Sequence, residues 1–223
     1  MGVLKAITSI MHRQATYSTP TVTLTDFNIC SLLASSKSTT APTPKILHLC
    51  ILGPKAAGKT TLWLRLQNKP FLDTSATPRP HDMNVTLDNK IHIKRALDIP
   101  GGDNAVRAHY ANLLKDATLV FFLFDIRDIL QANAEKISAI RMRLCALQRK
   151  ESSNQDTPRK TYYIATWAQA KDDTNENYEK IVNTLCIDDP LRDLSDEMAK
   201  NLYIGNLIDN NFFQSLKNII MTA

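Results

Sequence analysis

Gly53-Pro54-Lys55-Ala56-Ala57-Gly58-Lys59-Thr60 is the stretch whose residue types and spacing most plainly do chemistry. Two glycines are separated by four residues and followed by a lysine and a threonine, the pattern G-x-x-x-x-G-K-[ST]. The glycines let the backbone curl so that successive N–H groups point inward at phosphate oxygens. Lys59 then reaches β- and γ-phosphates, and the Thr60 hydroxyl can hold Mg²⁺. Chance produces the bare pattern in roughly 1% of chains this long, and the flanks sharpen it. Ile46–Leu52 reads as a buried strand entering the loop. Thr61–Gln67 reads as a helix leaving it, with an N-terminal dipole that favours an anion. The bland alternative, a glycine turn with a solvated lysine, accounts for neither flank.

A second constellation, Asp98-Ile99-Pro100-Gly101, stands 39 residues after Lys59 at the end of a predicted strand. An aspartate there can join a Mg²⁺ shell, and the Gly101 N–H can touch a γ-phosphate, so the segment can sense whether that phosphate exists. D-x-x-G is common in turns. Its weight comes from its place at a strand end downstream of a phosphate loop.

These residues need a scaffold, and the patterning supplies one. The chain has 223 residues, of which 43% are hydrophobic and 22% charged, enough for one moderate domain with an appendage. Val85–Leu87 and Ile91–Leu97 form a predicted hairpin about the turn Asp88-Asn89-Lys90. Thr118–Phe124 is nearly all apolar, as in a parallel strand covered on both faces. Apolar spacing predicts one long helix over about 128–149, a strand at Tyr162–Thr166, and a helix at Tyr178–Leu185. A last strand, Leu202–Ile204, and a closing helix, Phe212–Met221, complete the set, with a loop over Lys150–Lys160. Six strands and about five helices predict an α/β fold, a doubly wound, mostly parallel sheet with one hairpin and its ligand at the carboxyl ends of the strands.

The net charge of +5 is mild, and Lys and Arg are scattered without interleaved aromatics, which predicts no nucleic-acid face. Cys30, Cys50, Cys145 and Cys186 lie far apart, without metal-type or disulfide-type spacing, and suit a reducing compartment. Residues 1–44 differ from the rest, with 15 Ser or Thr, three Lys or Arg and one acid, Asp26. Such a segment scarcely forms a core and reads as an extension draped on a partner. Val3, Leu4, Ile7, Ile10 and Met11 share one helical face, so Met1–Gln14 can form an amphipathic helix. Three roles remain open for it: a mitochondrial targeting segment, a myristoylated anchor on Gly2 (with Ala6 where Ser or Thr is usual), or a tail docking on a protein. The expected location is therefore cytoplasmic or peripheral to a membrane through 1–14, with a mitochondrial alternative.

Ala56-Ala57-Gly58-Lys59-Thr60-Thr61-Leu62 resembles the phosphate loop of the Arf-like branch of the Ras-like small GTPases. Leu97-Asp98-Ile99-Pro100-Gly101, the basic-aromatic helix after it and Leu119–Asp125 are also similar to the signal-recognition-particle receptor beta subunit. The resemblance covers about Lys45–Ala223 and is specific through residue 125. It implies a G-domain that binds GTP or GDP with Mg²⁺. Gly53, Ala56, Ala57, Gly58, Lys59, Thr60 and Thr61 would cradle phosphate, Thr60 and Asp98 would hold magnesium, and Gly101 would sense the γ-phosphate. Thr77 falls in the switch-one threonine position and would complete the metal shell, although Ala76 and Pro78 depart from the family's surroundings.

Two departures bear on function. Gly102 stands where the family has a water-orienting glutamine, which predicts very slow hydrolysis unless a partner supplies the missing group. Asp103 and His109 are the nearest alternatives for activating water. The guanine-reading motif N-K-x-D is represented by Gln169-Ala170-Lys171-Asp172. Asp172 can still accept guanine's N–H groups, or it is simply a helix-start aspartate. The resemblance implies a switch with protein partners at its switch regions and N-terminal extension. A pseudo-GTPase subunit of a larger assembly is the rival. A small-molecule kinase needs an arginine-rich lid, whereas Arg141, Arg143 and Arg149 lie on a predicted helix whose apolar stripe faces the core.

Overall fold

The computed structural model describes residues 43–70, 81–98, 110, 114–151 and 159–223, with the backbone alone at 81–83, 94–98 and 149–151. All lie in the unit Pro42–Ala223. The expected helix 1–14, Cys30 and nearly all of the extension 1–44 fall outside the described residues.

Six strands form one sheet: β1 Lys45–Leu52, β2 His81–Leu87, β3 Ile91–Asp98, β4 Leu119–Asp125, β5 Lys160–Thr166 and β6 Leu202–Ile204, in the order β2-β3-β1-β4-β5-β6. Every neighbouring pair is parallel except the antiparallel hairpin β2–β3. The hairpin turns through Asp88 and Asn89, both at positive φ (48° and 54°). Two left-handed residues in succession match the twist of the flanking strands, and Asp and Asn tolerate that conformation best after glycine.

The described helices are α1 Lys59–Leu66, α2 Ile126–Leu130, α3 Ala134–Glu151, α4 Asn175–Leu185, α5 Ser195–Asn201 and α6 Asn210–Thr222. They cover both faces of the sheet. Leu119, Phe121 and Leu123 of β4 pack with Leu62 and Trp63 of α1 and Leu216 and Ile220 of α6. The alternate residues Val120, Phe122 and Phe124 pack with Ile129 of α2, Leu144 of α3, Ile181 of α4 and Met198 of α5. Period-two alternation with apolar residues on both sides produces the fully buried run expected of a central parallel strand. The doubly wound α/β fold is thus the observed one.

The predicted single helix over about 128–149 is two. Asp125 caps α2 by accepting Arg127 N–H at 2.9 Å, and Asn133 Oδ1 caps α3 by accepting Lys136 N–H at 3.2 Å. Between them Ala132 turns left-handed at φ 53°. Apolar spacing runs across the break because both helices bury the same face. Residues 150 and 151 close α3 rather than open a loop, and 152–158 lie outside the described residues. Helix α5 is an addition to the predicted set.

Candidate functional site

The phosphate-loop pattern lies between β1 and α1, at the carboxyl edge of the sheet. Gly53 has φ 141°, and a Cβ there would come 2.0 Å from the Leu123 carbonyl oxygen, so the loop's first residue must be glycine. Gly58 has φ 86° and forms the N-cap of α1 without any side-chain cap, and the first turn of α1 holds no acidic residue. That helix end therefore keeps its positive dipole and first N–H groups toward the loop, the arrangement that favours a bound anion. Ala56 takes φ 65°, which curls the loop between the two glycines. Lys59 is only 6% exposed, and its ammonium donates to the Pro54 carbonyl at 2.8 Å, lying across the loop from within. Thr60 follows it on the first turn of α1, and Thr61 is buried beneath.

Two side chains outside the motif, Thr166 and Trp167, bond to this loop, and Arg127 and Arg65 hold its surroundings. Thr166, fully buried at the end of β5, lies 3.0 Å from both the Ala57 and Phe124 carbonyls; its single hydroxyl proton serves the pair. Trp167 donates its indole N–H to the Ala56 carbonyl at 3.0 Å, under the Arg127 guanidinium at 5.4 Å from the ring centre. Arg127 in turn grips both oxygens of Asp125, with contacts of 2.6 to 3.1 Å. Arg65 of α1 donates to the Leu207 carbonyl, to the Asp209 carbonyl at 3.2 Å and to Asn210 Oδ1 at 2.6 Å. Thr166 and Trp167 went unread in the sequence because they serve backbone carbonyls, which leave no mark on residue spacing.

Asp98 closes β3 paired with Ile51, two residues before Gly53, so the topology brings its backbone to the phosphate loop. Its side chain, together with Thr77, Gly101, Gly102, Asp103 and His109, lies outside what is described. Among the described residues no group of three or more His, Cys, Asp or Glu can hold a metal. Of the expected magnesium ligands, Thr60 alone has a described side chain.

Asp172 lies in a short turn, Ala170–Asp172. Its carboxylate accepts the Gln169 N–H at 2.8 Å, and its own N–H returns to the Gln169 carbonyl at 2.9 Å. Arg141 pairs with Asp188 at 2.8 Å, and Arg143 is buried and donates to the Ala139 carbonyl at 2.7 Å.

Residues 32–179 match the profile of the ADP-ribosylation factor family, Arf. The chain belongs to the Arf family. The match spans well over half the sequence and takes in β1 to β5, the phosphate loop and all of the Asp98-to-Gly101 segment. It begins at residue 32, inside the segment read as an extension. No curated protein matches the chain. As an Arf-family domain it is a GTP-binding, small-GTPase-like protein, from a family that uses GTP or GDP with Mg²⁺ and works with proteins and membranes.

Proposed function

We propose that this Arf-family protein binds GTP and GDP with Mg²⁺ and hydrolyses GTP slowly or not at all, acting as a nucleotide-dependent switch. The observation that carries the proposal is the buried Lys59 ammonium laid across a loop curled by Gly53 and Gly58, at a helix end with no side-chain cap. Gly53 to Thr61 would bind the phosphates, with Thr60, Asp98 and Thr77 as magnesium ligands and Gly101 as the γ-phosphate contact. The ion would neutralise phosphate charge, which is its usual part in phosphoryl transfer.

Slow turnover follows from Gly102. Lys59 and the loop N–H groups hold phosphate oxygens, but glycine cannot orient water. In systems that complete the site in trans, an arginine is worth about 10³–10⁵ in rate. Single-turnover hydrolysis by the full chain, with Lys59→Ala as the blank, tests this. The expected rate is no faster than the slow intrinsic rate of small GTPases, and Gly102→Gln raises it. A brisk wild-type rate would contradict the proposal and point to Asp103 or His109.

The bracing of the loop by Thr166 and Trp167 also favours a second reading, a nucleotide-stabilised subunit of a larger assembly. A switch exchanges bound GDP when excess GTP is added, whereas such a subunit retains it. Protein partners would meet the switch segments and residues 1–44, and 1–14 would contact a membrane surface.

A further inference from the structure

An open groove of about 520 Å³ runs along helix α3, lined by Ala134, Ile137, Ser138, Arg141, Met142 and Cys145 with Ala132 at its end. Their spacing puts them on one side of three helical turns, a length of about 17 Å. Another side of the same helix, with Ile140, Leu144 and Leu147, is already spent on the core. Four large apolar side chains stand exposed among the described residues, and two of them meet at this groove. Met142, 43% exposed, lines it. Ile187, 60% exposed, immediately precedes Asp188, which Arg141 of the groove wall grips at 2.8 Å. Single exposed apolar residues need no explanation, but apolar residues gathered on one concave face mark a surface that another molecule covers.

The relief of the groove selects a helix. Its wall is itself a helix, whose interior N–H and C=O groups bond within it and leave no edge for a strand. The small residues Ala134 and Ser138 let a second backbone approach, while Ile137 and Met142 stand between them as ridges. Charge selects the kind of helix. Residues 172–201, which include α4 and α5, hold nine Asp or Glu against three Lys or Arg, in a chain whose net charge is +5. The Asp188 side chain is 65% exposed, and Asp189 and Asp193 are exposed beside it. The cations of this face are engaged locally: Arg141 with Asp188, Lys180 with the Leu130 carbonyl at 3.4 Å, and Lys136 in the field of Asp128. A second copy docked face to face would bring the same carboxylates together, and an anionic membrane would be repelled.

We infer that the α3 groove docks a basic amphipathic helix of a protein partner. The apolar stripe of that helix lies along Ile137 and Met142, with Ile187 at its flank, and its Lys or Arg residues meet Asp188 and Asp189. No residue of the phosphate loop lines the groove, so this surface is separate from the proposed nucleotide site and stands whether or not nucleotide binds.

Fluorescence anisotropy on the full chain tests this with two labelled helical peptides. Both carry leucines at helical spacing, and the remaining positions are lysine in one and glutamate in the other. The lysine peptide is expected to bind at least about tenfold more tightly than the glutamate peptide, and less tightly as salt screens the charges. Met142→Gln with Ile187→Gln removes the apolar contact at exposed positions and should weaken the lysine peptide about tenfold or more, with the urea midpoint of the wild type. Asp189→Lys leaves the groove wall intact and should weaken the lysine peptide while strengthening the other. Ile46→Gln, an equally exposed position on β1, should change nothing. Equal binding of the two peptides overturns the inference, as does a groove variant that binds like wild type or an Ile46→Gln variant that weakens binding as much. Two further results also overturn it. One is a dimer in sedimentation equilibrium that Met142→Gln dissociates, which assigns the groove to a second copy. The other is binding to phosphatidylserine vesicles that Met142→Gln abolishes, which assigns it to a membrane.

Discussion

At the scale of single residues, the site depends on a few atoms that have no room to move. Gly53→Ala would drive a methyl group into the Leu123 carbonyl, which belongs to the central strand and cannot yield. The expected cost is about 3 kcal/mol, at the upper end for overpacking, read as a fall in the urea midpoint; a loss below about 1 kcal/mol would show that the loop relaxes. Thr166→Val keeps the volume but removes the hydroxyl shared by the Ala57 and Phe124 carbonyls. In a fully buried position that costs about 1–3 kcal/mol. Nucleotide affinity should fall with it, because the phosphate loop loses a brace. Unchanged stability would mean that the two carbonyls do not depend on the hydroxyl. The curled loop at Gly53 and Gly58 was legible in the sequence because its backbone needs glycine at fixed spacing. Thr166 and Trp167 were not, since any donor in the right place can satisfy a carbonyl.

At the scale of elements, strands with two buried faces were the easiest to read. A continuous apolar run such as Leu119–Phe124 is short for a buried helix and too apolar for a surface loop. The parts that escaped are the polar or short ones. The first half of β2, His81–Asn84, lacks apolar alternation and is held by pairing with β3. Helix α5 buries Met198 within seven residues and gives no periodic signal. The break between α2 and α3 is set by the caps Asp125 and Asn133, which apolar spacing does not register. Capping also fixes the start of α4, where the Thr174 hydroxyl accepts the Asn177 N–H at 3.3 Å. Thr174→Ala should cost about 1 kcal/mol. The urea midpoint measures that loss, and an unchanged midpoint would show that the cap contributes nothing.

For the whole molecule, pH dependence follows from its buried thiols and phenol. Burial pushes the Cys50 thiol up to about 12 and Cys186 up to about 11, and burial also raises the Tyr110 hydroxyl. A group whose pKa is raised by folding contributes stability that is complete below its unfolded value, about 8.5 for a thiol, and lost as the pH climbs toward the folded value. Urea midpoints should therefore decline from about pH 9 upward, and Cys50→Ala should flatten that decline. Equal slopes in the two proteins would exclude Cys50 as a source.

The central claim is that Lys59 and its loop bind a purine nucleotide with Mg²⁺, and thermal unfolding of nucleotide-free protein tests it most directly. A ligand at 100 times its dissociation constant adds about 2.7 kcal/mol to the folded state, a shift of roughly 5 °C or more in a domain of this size. Wild-type protein is expected to melt higher with Mg²⁺-GTP or Mg²⁺-GDP, and Lys59→Ala to melt at the same temperature with or without them. A wild-type midpoint that neither nucleotide moves would contradict the account.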